Sequence, residues 1–140
     1  MALSRMLALT LTAGLLASCA SMERSFPGRP TPCSPGICEI KVKVISCQQN
    51  NLEVTPKHVG ISAAQNIRWT IEPDDYVFAN DGIVINGSGF TNNPGSIAQG
   101  RRFQVHDNHQ DKTPAIKYSV HVLRAGGAEC TRYDPYISNQ

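Results

Sequence analysis

After Cys38 no window of this chain carries apolar residues at the i, i+3, i+4, i+7 spacing that buries one side of a helix, and Gly or Pro recurs every several residues. A helical domain is thereby excluded. Also missing are a Gly-x-Ser-x-Gly elbow, a Cys-x-x-Cys pair, a zinc-knuckle spacing and a glycine-rich loop able to cradle phosphate. Nucleophilic catalysis needs a base beside the nucleophile and donors for an oxyanion, and without these landmarks the chain is expected not to be an enzyme. The one adjacent carboxylate pair, Asp74-Asp75, follows Pro73. Neighbouring residues of an extended chain point opposite ways, which unfits them as matched acid and base. Charge of one sign is lacking too: 13 basic residues face 11 acidic ones, a formal charge of +2. With no basic stripe to meet phosphates, nucleic acid is not an expected partner.

The longest apolar stretch, residues 6–16, is interrupted by two threonines and a glycine and preceded by Arg5. It falls short of the about 20 apolar residues a spanning helix needs, and it has the length of a signal-peptide h-region. The closing Leu16-Ala17-Ser18-Cys19 resembles the lipobox of bacterial lipoproteins. That resemblance implies a signal peptide over residues 1–18 and diacylglycerol on the sulfur of Cys19, the first residue of the mature chain. Ala20 behind it, in place of aspartate, implies sorting to the outer membrane, facing the periplasm. The membrane is then a partner through the lipid on Cys19. Ordinary cleavage after Ala20 is the alternative and leaves a soluble periplasmic protein. Loss of Arg5 with the leader lowers the formal charge from +2 to +1.

Residues 19–37 hold Pro27, Pro30, Pro32 and Pro35 among Gly28, Gly36 and small polar residues. Proline fixes φ and removes a donor, so this stretch is expected as a tether reaching about 3 Å per residue when extended. Residues 38–140 remain for one domain of roughly 100 residues.

Within that domain Ile40, Val42 and Val44 alternate with Lys41 and Lys43, the period-2 pattern of a strand with one face buried. Ile67, Trp69 and Ile71 repeat it, as do Phe103 with Val105, and Ile116, Tyr118, Val120 and Val122. Short strands are expected at residues 52–54 and 58–61. Residues 76–79 and 83–85 read as a hairpin turning at Asn80-Asp81-Gly82, whose residues tolerate positive φ. Residues 87–100, rich in Gly and Asn, read as a long solvated loop. The expected class is all-β, a seven- to eight-stranded sandwich of cupredoxin- or immunoglobulin-like Greek-key type, with Trp69 in the core.

Five cysteines in so short a chain fit an oxidising compartment. Setting Cys19 aside leaves Cys33, Cys38, Cys47 and Cys130 for two disulfides. Cys38 and Cys47 bracket one strand and stand about 30 Å apart, beyond the reach of a bridge. Of the two remaining pairings, Cys33–Cys38 with Cys47–Cys130 is favoured. Cys33–Cys47 with Cys38–Cys130 would require the proline-rich segment to fold back along the whole strand.

His106, Asp107, His109 and Asp111 form the one dense cluster of metal-ligand types, suited to zinc or a similar ion, and a tight turn could join the two histidines. The competing reading is an Asx-rich turn that leaves the Phe103–Val105 strand. His58 and His121 are isolated in sequence and read as surface histidines on strands.

The order of strands, the strand from Lys117 to Val122, the Gly126-Gly127 turn and the Asp134-Pro135-Tyr136-Ile137 ending are similar to small cupredoxin-like sandwiches of proteobacterial lipoproteins. The copper motif is not carried over. Thr131, Arg132, Tyr133 and Asp134 follow Cys130 where a ligand histidine would stand, and no methionine occurs after Met22. No cofactor is therefore expected. The expected function is that of a non-enzymatic envelope lipoprotein, binding or bracing an envelope protein or glycan. The alternative is a periplasmic metal-binding protein using His106 and His109.

Overall fold

The computed structural model describes residues 28–140; the leader and the expected acyl site Cys19 lie outside the described residues. The chain first pairs at β1 (Thr31–Pro32), then runs through β2 (Ile37–Ser46), β3 (Asn51–Thr55), β4 (His58–Ile61) and β5 (Gln65–Glu72). The remaining strands are β6 (Tyr76–Ile85), β7 (Phe90–Ile97), β8 (Arg102–Asp107), β9 (Ile116–Arg124), β10 (Glu129–Arg132) and β11 (Tyr136–Asn139). They form two sheets. One has five strands in the order β3-β2-β5-β8-β7; the other has six, ordered β1-β4-β11-β9-β10 with β6 also paired to β9. The architecture is an all-β sandwich of mixed topology, since β2–β5, β4–β11 and β1–β4 are parallel pairs.

The long strands obey their periodicity. In β2, Cys38, Ile40, Val42 and Val44 face inward while Glu39, Lys41 and Lys43 face solvent. Ile67, Trp69 and Ile71 of β5 and Ile116, Tyr118, Val120 and Val122 of β9 supply the opposing inner faces. Trp69 and Tyr118 meet edge-on between the sheets with ring centroids 5.4 Å apart, and Phe78 meets Phe103 at 5.8 Å. Such edge-to-face contacts set the partly positive ring edge against a partly negative face. Burial holds the Tyr118 hydroxyl well above the usual phenol range, offset in part by the neighbouring Trp69 N–H.

Both disulfides form in the favoured pairing. Cys33–Cys38 has a Cα separation of 5.1 Å and Cys47–Cys130 one of 4.9 Å, within the ordinary range for a bridge. The second ties the exit of β2 to β10, joining the two sheets at one edge.

The strand count exceeds the expected seven or eight because edge strands carry little periodicity. Residues 76–85 make one strand, not a hairpin: both halves pair with β9, and Asn80-Asp81-Gly82 is absorbed in an irregularity between Phe78 and Ile83. None of these three residues takes the positive φ that a tight hairpin would use. An ideal Cβ on Gly82 would stand 2.7 Å from the Phe78 Cβ, so the bulge lies close over the core. Residues 87–100 are likewise not a free loop. β7 lies within them, pairing with β8 through a break between Asn92 and Gly95 that accommodates Pro94. An edge strand tolerates such a proline because one row of its N–H groups has no partner to lose. Pairing also begins before residue 38: Thr31 and Pro32 lie beside Val59 and Gly60, and the Cys33 N–H donates to the Gly60 carbonyl at 3.0 Å.

Candidate functional site

The loop after β8 is built by short polar side chains bonding to the backbone just ahead of them. Asp107 Oδ1 accepts the His109 N–H at 2.8 Å, Asn108 Oδ1 accepts the Gln110 N–H at 3.1 Å, and Asp111 Oδ1 accepts the Thr113 N–H at 3.0 Å. Three Asx turns in succession account for the density of Asp and Asn here, and His109 takes a left-handed φ of 61°. The loop docks on the segment before β7: the Ser88 N–H donates to Asp111 Oδ2 at 2.8 Å and the Asn108 N–H to the Gly89 carbonyl at 2.9 Å. Hydrogen bonding to Thr113, then to Ser88, holds the Asp111 carboxyl below its usual range. The stability this lends is present above the ordinary carboxylate pKa and lost as pH falls through the lowered one.

The four residues expected as a metal cluster are placed apart. His106 and Asp107 are successive strand residues and leave the sheet on opposite faces. His106 Nδ1 lies 3.0 Å from Asn66 Oδ1 across β5, on the outer face. His109 Nε2 donates to the Ile61 carbonyl at 3.0 Å, which leaves Nδ1 to accept from the Lys112 ammonium, also at 3.0 Å. Both ring nitrogens are thus engaged, and a fixed positive charge stands where a metal ion would have to approach. Asp111 is occupied by Thr113 and Ser88. Among the described residues no group of three or more His, Cys, Asp or Glu side chains is arranged to hold a metal ion.

A second cluster has no counterpart in the sequence reading. His121 on β9 has its Nδ1 2.8 Å from Glu129 Oε1 of β10 and 3.4 Å from Asp81 Oδ2 in the bulge of β6, and its Nε2 3.2 Å from Ser119 Oγ. The order hydroxyl, imidazole, carboxylate is that of a nucleophile and its base, but two features oppose that role. Ser119 is buried in the middle of the sheet, its backbone paired with Val84 of β6, so its hydroxyl is not open to a substrate. Neither carboxylate lies in line with the Nδ1–H, so these contacts are electrostatic rather than directed hydrogen bonds. The cluster is a clasp across three strands. Only the Ser119–His121 spacing was legible, because Asp81 and Glu129 arrive by cross-strand register.

His58 is not a free surface residue either. Its Nδ1 lies 2.7 Å from the Gly28 carbonyl and its Nε2 2.7 Å from Ser138 Oγ, pinning the start of the described chain to β11. Along the outer edge of β3 runs an open groove of about 300 Å³ whose lining includes Ile45, Leu52, Val54, Lys57 and Arg132. Ile45 is the apolar side chain it leaves most open to water, Lys57 and Glu53 bring opposite charges to its lining, and Arg132 is paired with Asp134 at 3.1 Å. No protein-family model matches the chain, and no curated protein matches it.

Proposed function

We propose that the protein is a non-enzymatic lipoprotein of the bacterial cell envelope, anchored by acyl chains on Cys19, whose sandwich serves as a binding or structural module. The observation that carries this reading is the disposition of the cysteines. Four of the five are consumed in two intrachain disulfides, which persist in an oxidising compartment. The odd one is Cys19, which stands at the end of an apolar leader in a lipobox context. A proline-rich run connects it to Thr31, where the chain joins the sandwich. The partner in this reading is an envelope protein or glycan, met at the periplasmic face of the outer membrane. The groove along β3 suits such contact, because a sheet edge presents free backbone groups beside its side chains.

Labelled palmitate supplied to growing cells is the test. Label enters the wild-type chain and is lost entirely from Cys19→Ser, which moves to the soluble periplasmic fraction. Identical membrane fractionation of both forms, with no label in either, would overturn the anchor.

A further inference from the structure

Three inward-facing rows of the sandwich end in a polar residue at the same end of the domain. The row Ile71, Trp69, Ile67 of β5 ends in Gln65; Phe103, Val105 of β8 ends in Asp107; and Ile137 of β11 is followed on its face by Asn139. Gln65 stands directly opposite Asp107 in the β5–β8 register, and Asn139 Nδ2 donates to Asp107 Oδ1 at 3.3 Å. The two sheets thus bring one carboxylate and two amides together beneath the loop that follows β8. These groups are 0 % exposed for Asp107 and 8 % for Gln65 and Asn139.

Their oxygens are under-bonded. Asp107 Oδ2, Gln65 Oε1 and Asn139 Oδ1 are all buried without a hydrogen-bond partner. Asp107 Oδ1 already accepts from the His109 amide and from Asn139, and the latter bond fixes which way the Asn139 amide faces. Among the described residues no Lys, Arg or His makes an ion pair with Asp107; the nearby Lys112 is turned to His109. A buried carboxylate oxygen and two amide oxygens without donors are costly to desolvate, and a bound cation would meet all three acceptors at once while balancing the carboxylate charge.

We infer that this end of the sandwich is a binding site for a hard divalent cation of the calcium type, held by Asp107 Oδ2, Gln65 Oε1 and Asn139 Oδ1 with water completing the shell. Oxygen-only ligands with amides among them suit calcium over zinc, and they meet calcium's tolerance for irregular geometry better than magnesium's demand for an octahedron. A single carboxylate places the affinity in the weak class typical of extracellular modules. The ion would pin β5, β8 and β11 to one another and stiffen the loop above them.

The test is thermal unfolding of the full-length chain in detergent, with calcium alone as the probe, at constant ionic strength. Going from chelator to about 10 mM calcium raises the melting temperature of the wild type by about 5 °C. Asp107→Asn, which keeps the shape and removes the charge, abolishes the rise. Gln65→Met, which removes one oxygen at similar volume, weakens calcium binding about tenfold in calorimetric titration and serves as the deciding variant if Asp107→Asn does not fold. No rise in the wild type, an equal rise in both variants, or an equal rise with magnesium would each overturn the assignment.

Discussion

Cys130→Ala is expected to lower stability by about 4 to 5 kcal/mol, because the bridge it breaks closes a loop with a sequence separation of 83 residues and so removes much freedom from the unfolded chain. For a domain of this size that corresponds to a fall in melting temperature of about 15 to 20 °C. Cys33→Ala opens a loop with a separation of only 5, and the same relation gives about 2 kcal/mol. Alanine is the replacement of choice at residue 130, since Cys130 is fully buried and a serine hydroxyl there would add its own desolvation cost. Thermal unfolding followed by circular dichroism under non-reducing conditions measures both. Equal losses, or a larger loss for Cys33→Ala, would contradict the ranking. A further consequence concerns the edge itself, where β3 and β10 lie close together and the Thr131 N–H donates to Asn50 Oδ1 at 3.2 Å. Without the bridge this contact and the groove beside it lose their staple first.

Trp69→Ala should cost roughly 3 to 5 kcal/mol, the range for removing a large aromatic from a close-packed core. Trp69 is the largest fully buried side chain and stands where β5 of one sheet faces Tyr118 of the other. Trp69→Phe should cost much less, because an edge-on ring contact with Tyr118 survives. Urea unfolding of the three forms provides the comparison through the midpoints. A loss under about 1 kcal/mol for the alanine variant would mean that the sheets do not pack around this residue.

The strands legible in the sequence are those with one buried face. Ile40, Val42 and Val44, or Ile116 through Val122, alternate because the sheet has a dry side and a wet side there. β7 and β10 escaped detection for a physical reason. They sit at or near sheet edges, are held largely by backbone pairing, and so impose no regular pattern on Thr91, Asn92, Asn93 or Glu129. Asn80-Asp81-Gly82 was misread because its composition suits a bulge as well as a turn; only the length of β9, which offers both halves of β6 the same partner, decides between them. Of the disulfide pairing, fixed strand rise and bridge reach exclude Cys38–Cys47, and the choice between the other two rests on the short distance along the chain from Cys33 to Cys38.

The candidate sites divide in the same way. Of the two readings of the His106–Asp111 run, the Asx-rich turn forms and the metal cluster does not come together, because the divergence of its residues depends on where β8 ends, one residue after His106. The His121 clasp and the Gln65, Asp107, Asn139 cluster draw on three strands each. No spacing along one chain announces such a meeting; it follows from register and sheet-on-sheet stacking. A sharper cue was available for the second cluster, since a polar residue ending an otherwise apolar inward row, as Gln65 does before Ile67 and Trp69, marks a place where the core turns polar.

We propose an exported chain in which Cys19 carries lipid and the other four cysteines are paired. It is tested most directly by isolating the protein from intact envelopes with free thiols blocked at lysis, followed by non-reducing peptide mapping. The expected result is one fragment joining Cys33 to Cys38, another joining Cys47 to Cys130, no blocked thiol, and an N-terminal fragment beginning at Cys19 with the mass of its acyl chains. Blocked thiols at Cys47 and Cys130, or a fragment joining Cys38 to Cys130, would contradict it.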